Sequence, residues 1–190
     1  MTGRLIVDGE TGPHTRAVFE LDEGELVYND PRQFGRIEWS EGLPERVARL
    51  GPDALAVTEA EFIERLKARR RAQIKPLLLN QAFLRGLGNI YADEALFAAG
   101  IHPRADAARF SRVRARRLHG AIVDVLRAAI ANKGSSISDY VYDEGRKGGH
   151  QQHLLAYGRE GEPCERCGAP IRRIVLGGRG THYCPKCQRA

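Results

Sequence analysis

The feature that most constrains this 190-residue chain is its cysteine spacing. Cys164 and Cys167 form one C-x2-C pair, sixteen residues intervene, and Cys184 and Cys187 form a second. No other cysteine occurs in the chain. A disulfide framework would spread its cysteines through a secreted domain, so metal is the better reading. Each C-x2-C turn directs two thiolates at one point, and two such turns complete a tetrahedron suited to one Zn2+. Four protein ligands leave no open position for water, which makes the ion structural. Pro163, Gly168, Gly177, Gly178 and Pro185 supply the turns of a zinc ribbon or β-hairpin finger. A module this small draws folding energy from its metal. The finger alone does not say what is bound, since such modules also join proteins.

Charge narrows the partner. The net charge is +6, and it is unevenly spread. Residues 1–55 carry a net −5, residues 56–157 a net +7 and residues 158–190 a net +4. The basic excess is mostly arginine, which grips phosphate bidentately. Beside a zinc module this favours a polyanionic partner over a merely solvated surface. No apolar run reaches membrane-spanning length, and the opening MTGRLIVDGE lacks the layout of a signal peptide. The expected location is the cytoplasm, in association with the nucleoid, with no membrane partner.

Three regions separate by pattern, and the expected class is α+β. Residues 1–55 read as short strands at Arg4–Val7, Ala17–Leu21, Leu26–Tyr28 and Arg36–Trp39, punctuated by Gly9–Gly12, Asp22–Gly24 and Asn29–Pro31. Four short strands without covering helices cannot close a sandwich, so this region reads as the remainder of a β-domain. Residues 56–156 are helical. Thr58 and Glu61 form a capping box ahead of Phe62, Ile63 and Leu66. Arg69, Arg70 and Arg71 lead into a second apolar stretch at Ile74, Leu77 and Leu78. A helix capped by Asn89 runs to Ala99 and stops at Gly100. The clearest helix starts at Ser111, carries Leu118, Ile122, Val125, Leu126 and Ala129 at helical spacing, and ends at Gly134. Arg112, Arg114, Arg116 and Arg117 sit in its first turns, where the helix dipole does not favour cations. Asp143–Gly149 reads as a mobile loop, or as one that covers a substrate. Residues 157–190 form the finger.

Two constellations could meet phosphate. Arg179 follows two glycines between the cysteine pairs, where a hairpin tip could reach a groove or simply be an exposed turn. The Gly86–Asn89 loop feeds a helix whose N-terminal amides suit an anion, or it is an ordinary helix hairpin. Arg70, Arg71, Lys75 and Arg85 flank that loop and add weight to the anion reading.

Lys75–Pro103, KPLLLNQAFLRGLGNIYADEALFAAGIHP, resembles the helix–two-turn–helix segment of the formamidopyrimidine-DNA glycosylase and endonuclease VIII family. The tail YGREGEPCERCGAPIRRIVLGGRGTHYCPKCQ resembles that family's zinc finger, NDPRQFG its NDPRRFG motif, and MTGRL its G-M-S-G-R-L strand. The likeness spans essentially the whole chain in the same order. It implies a partial N-terminal β-sandwich, a helical helix–two-turn–helix domain and a C-terminal β-hairpin zinc finger. It also implies a monomeric bifunctional DNA glycosylase and abasic-site lyase. Such enzymes remove oxidised purines, 8-oxoguanine and formamidopyrimidines, from double-stranded DNA by base flipping, imine formation and β,δ-elimination. By the same resemblance Asn89 and Arg179 hold the phosphates around the extruded nucleotide, and Arg179 is the catalytic proton donor of δ-elimination. His14, Arg32, Arg70 and Arg71 fall at DNA-contacting positions. Met1, Arg32 and Phe34 match the side chains that fill the space of the flipped base, where a wedge must be apolar or planar to replace lost stacking.

Departures from the family pattern bear on activity. The family begins Met-Pro-Glu, with the proline amine as nucleophile, the glutamate as acid and a further lysine assisting β-elimination. The resemblance therefore implies a truncated form, or a start assigned too late. Gln33 replaces an arginine of NDPRRFG, and His150 stands where the family more often has an aromatic pair before Gln151. The alternative is a catalytically inactive protein of the same family that binds damaged DNA. A zinc-ribbon module of transcription or translation machinery is a third reading, disfavoured by the helix-loop match.

Overall fold

The computed structural model describes residues 3–68, 72–136 and 148–190. Expectations that fall on Met1, Arg70, Arg71 and most of the Asp143–Gly149 loop lie outside the described residues.

The N-terminal region forms one antiparallel sheet of β1 (Arg4–Val7), β2 (Thr15–Glu20) and β3 (Glu25–Asn29), ordered β1-β3-β2. Leu5 pairs with Tyr28 and Val18 with Val27. The register shifts between Thr15 and Ala17, and the extra residue, Arg16, sends its Nε to the Asp30 carbonyl at 3.1 Å. The fourth expected strand, Arg36–Trp39, does not form. Its Ile37–Trp39 alternation suits a strand, but both side chains are exposed and, among the described residues, no neighbouring strand takes up the backbone.

Short helix α1 (Glu45–Ala48) leads to α2 (Glu59–Lys67). Thr58 caps α2 by accepting from the Glu61 N–H at 3.2 Å, while the Glu61 carboxylate turns away to Arg65 Nε at 3.0 Å. Phe62, Ile63 and Leu66 enter the main core together with Ile74 and Leu78 of α3 (Ile74–Leu79) and Leu118 and Ile122 of α5 (Arg112–Ala131). Ser111 caps α5 through the Arg114 N–H. Its end differs by one residue from expectation, since Lys133 already takes the left-handed conformation, with φ 61°, ahead of Gly134. The Lys133 and Gly134 N–H groups close that end onto the carbonyls of Ile130 and Ala129.

The central helix is α4 (Asn89–Ala98). Every residue from Ala92 to Phe97 is buried, including Asp93 and Glu94. Leu96 packs in the main core, and Phe97 joins a second cluster with Ala156, Cys164, Ile171 and Cys184. Gly100, with φ 64°, ends the helix as expected. One helix thus carries both cores, and the finger is built directly onto it. The finger's strands are β4 (Arg172–Leu176) and β5 (Arg179–Tyr183), paired antiparallel with Leu176 opposite Arg179. Gly177 and Gly178 make the two-residue turn, both at positive φ as a tight hairpin of this twist requires.

Candidate nucleic-acid interface and metal centre

The four cysteines converge as their spacing requires. Their sulfur atoms all lie within 4.8 Å of one another, with Cys164–Cys187 at 3.9 Å and Cys167–Cys184 at 3.5 Å. A tetrahedron with zinc–sulfur bonds of about 2.3 Å has sulfur–sulfur edges of about 3.8 Å, so the set fits one ion with no room for a water ligand. The Ala169 N–H holds the Cys167 thiol down to about 7, while burial pushes Cys187 up to about 12. Zinc takes thiolates and displaces these protons, so its affinity rises with pH. Around the site, Arg166 Nη1 donates to the Phe97 carbonyl at 2.9 Å, and the Cys184 N–H donates to Gln188 Oε1 at 2.7 Å.

The metal end supports a hairpin whose tip lies over the Gly86–Asn89 loop. A cleft of about 670 Å³ separates them, lined by Pro76, Asn80, Gln81, Gly86–Asn89, Gly177 and Arg179. Gln81 shapes the loop: its Oε1 accepts from the Gly86 N–H at 3.0 Å, and its Nε2 donates to the Leu87 carbonyl at 3.1 Å. Asn89 does not cap α4, contrary to expectation. Gly88 occupies that position, and Asn89 is the first helical residue. Its Nδ2 instead donates to the Gly180 carbonyl at 3.1 Å, and its Oδ1 is buried with no partner among the described residues. Gly88 and Asn89, at the start of α4, line the same cleft.

Sequence reasoning misplaced Lys75. It is not a flanking surface cation: it is wholly buried, with Nζ 2.5 Å from Asp93 Oδ1 and 3.1 Å from the Gly180 carbonyl. Burial pulls its ammonium below the ordinary lysine value, and Asp93 opposes that shift. Asp93 Oδ2 accepts from the His182 N–H at 2.9 Å. Arg85, also expected to flank the loop, lies 3.7 Å from Asp53. The first-turn arginines of α5 have local uses too, with Arg116 paired to Glu59 at 2.9 Å and Arg114 lying over the Phe110 ring.

Glu94 was missed entirely. Its carboxylate accepts from the Leu155, Ala156 and Tyr157 N–H groups at 2.8–2.9 Å, which ties the approach to the finger onto α4. Burial raises its carboxyl nonetheless. The sequence signal available was a second acidic residue beside Asp93 on an otherwise apolar helix.

A second cavity of about 720 Å³ shares Gly86 with the cleft. Ile90, Tyr91, Leu126 and Ile130 make it largely apolar, and Tyr91 Oη donates to Ser135 Oγ at 3.2 Å on its wall. His150 packs edge-on against Tyr91.

In the sheet region, His14, Arg32 and Phe34 gather around buried Asp30. The Asp30 N–H donates to the His14 carbonyl, and its carboxylate accepts from the Arg32 N–H, the Gly35 N–H and Tyr28 Oη. Phe34 stands 73% exposed at the end of this turn, so an apolar ring projects from a braced loop.

Comparison with known proteins agrees with this arrangement. Residues 50–141 match the formamidopyrimidine-DNA glycosylase H2TH domain, and residues 161–190 match the zinc finger found in FPG and IleRS. The chain is 54% identical over 189 residues to a formamidopyrimidine-DNA glycosylase of Solibacter usitatus, covering 100% of this chain and 71% of that protein. It superimposes on the MutM (FPG) protein of Thermus thermophilus with a TM-score of 0.87 and 42% identity, covering 99% of this chain and 73% of that one. The Lactococcus lactis FPG bound to DNA containing an abasic site gives a TM-score of 0.85 at 37% identity, covering 100% and 73%. A variant of that protein bound to Fapy-dG-containing DNA gives 0.86 at 37% identity, with the same coverage.

Proposed function

We propose a function from one premise: the chain belongs to the formamidopyrimidine-DNA glycosylase family. It acts in base-excision repair and binds duplex DNA at a damaged base or abasic site, as a monomer. Asn89 and Arg179 hold the phosphates of the extruded nucleotide across the cleft, and the apolar cavity that shares Gly86 with it receives its base. Residues 1–55, 56–156 and 157–190 serve as sheet, helical and finger domains of this reader. The observation that carries the reading is the cleft itself. The start of α4 and an arginine-tipped hairpin line one space, and a largely apolar cavity shares Gly86 with it.

Arg32 and Phe34 enter the gap left in the duplex, with Met1 as a third wedge. His14, Arg70 and Arg71 contact the backbone. The chemistry we assign is removal of 8-oxoguanine and formamidopyrimidines through an imine at the sugar C1′, followed by β,δ-elimination with Arg179 as proton donor in the δ step. The relatives bound to abasic-site and Fapy-dG DNA support this class of substrate.

A second reading is a member of the same family that recognises damaged DNA without cutting it. Borohydride trapping on abasic duplex separates the two. A covalent adduct formed by these 190 residues carries the lyase reading; tight binding without an adduct carries the binding-only reading. Equal affinity for abasic and intact duplex would remove both.

A further inference from the structure

We infer that Lys75 and Asp93 are positioning residues that aim Arg179 into the cleft. The inference rests on the reading of Asn89 and Arg179 as the phosphate clamp. Lys75 and Asp93 are each 0% exposed, on α3 and α4 respectively, and they form an ion pair beneath the hairpin. A buried ion pair of this kind is a weak source of stability, because desolvation of both charges offsets their attraction. Its geometry shows another use.

The pair delivers two hydrogen bonds to β5, one on each side of Thr181. Lys75 Nζ donates to the Gly180 carbonyl, and Asp93 Oδ2 accepts from the His182 N–H. Between them, Thr181 Oγ1 donates to the Arg179 carbonyl at 3.1 Å. The backbone from Arg179 to His182 is therefore fixed at three consecutive points, and the first follows the Arg179 Cα directly. Apolar side chains of the same volume could fill the space but could make neither of the pair's two bonds to β5. An isolated two-stranded hairpin is marginal in water, so its tip direction depends on such ties. Asn89 holds the same Gly180 carbonyl, so the group that faces the cleft and the buried ammonium share one acceptor. A displacement of about 1 Å at a positioning group can lower function by about 100-fold, which makes this fastening consequential.

A double-variant cycle on the 190-residue chain tests the inference, read as affinity for a duplex carrying a tetrahydrofuran abasic analogue. Zinc content and thermal midpoint serve as folding controls. Lys75→Met weakens binding by about tenfold when Arg179 is present, the loss expected for one hydrogen bond to a charged group. In an Arg179→Ala background the same change has less than about a twofold effect, because there is no longer a guanidinium to aim. A tenfold loss that persists without Arg179, or no loss with it, overturns the inference. An Arg179→Ala variant that binds as tightly as the parent overturns the clamp reading itself, which is a separate result. Should Lys75→Met fail to retain zinc, the cycle runs with Lys75→Met/Asp93→Asn. That variant leaves no unpaired buried charge and keeps an acceptor for His182. If this also fails to retain zinc, the pair is a folding element and the inference is wrong.

Discussion

A single carbonyl oxygen, that of Gly180, is held by two side chains that come from different helices and do different work. Asn89 faces the cleft, and its loss removes the tie to the hairpin and, on the proposed function, a phosphate donor as well. Asn89→Ala should weaken binding to abasic duplex by about 1.5–3 kcal/mol, measured by fluorescence anisotropy, while zinc content stays unchanged. His150 allows a second test. Burial lowers its imidazole, with His153 adding to the shift, so the unfolded chain binds a proton more readily than the folded one. Its contribution to stability is complete above about pH 6.5 and is lost as pH falls through that value toward the lower folded one. An NMR titration should place the His150 midpoint below 6.5, and His150→Gln should lessen the fall in thermal midpoint between about pH 7.5 and pH 5.5. The cysteines were legible because four ligands at close spacing carry their own geometry. Lys75 was not: its partners lie 18 and 105 residues away, and in sequence it continues a basic run.

The helices were readable in sequence wherever local chemistry decides their ends, as at Thr58, Ser111 and Gly100. Strand Arg36–Trp39 was misread because alternation reports only which face could be buried, and a strand also needs a neighbour. Asn89 was misassigned for a related reason. A capping residue and a first-turn residue look alike in sequence, and only the Gly180 carbonyl across the cleft distinguishes them. The finger makes the element-scale prediction. Phe97 on α4 packs against Cys164 and Cys184, so losing zinc should disturb the helix's C-terminal half as well as the finger. Chelation or Cys184→Ser should release one zinc per chain, abolish amide protection across β4 and β5, and lower protection at Phe97 in hydrogen exchange. Duplex affinity should fall with it. A finger that keeps its protection without metal contradicts this account.

Over the whole molecule, two cores meet on α4, and the metal centre, the hairpin and the loop beneath it form one continuous structure. The order of regions and the family were legible from end to end, because motifs of unusual composition fall in sequence at the right intervals. That Asn89 and Arg179 share one cleft was legible only through the family resemblance, and the cavity beside it was not, since it is made by residues far apart in the chain. On the proposed function, the arginine excess of the later regions supplies attraction to any duplex, and discrimination comes from the space assigned to the extruded nucleotide. The most direct test is competition binding of the 190-residue chain to an abasic-analogue duplex and its intact counterpart, between about 50 and 200 mM salt. Both affinities should fall steeply with salt as phosphate contacts release counterions. The abasic duplex should remain the tighter ligand throughout, because its nucleotide is already unstacked. Equal affinities with a flat salt response would contradict the account.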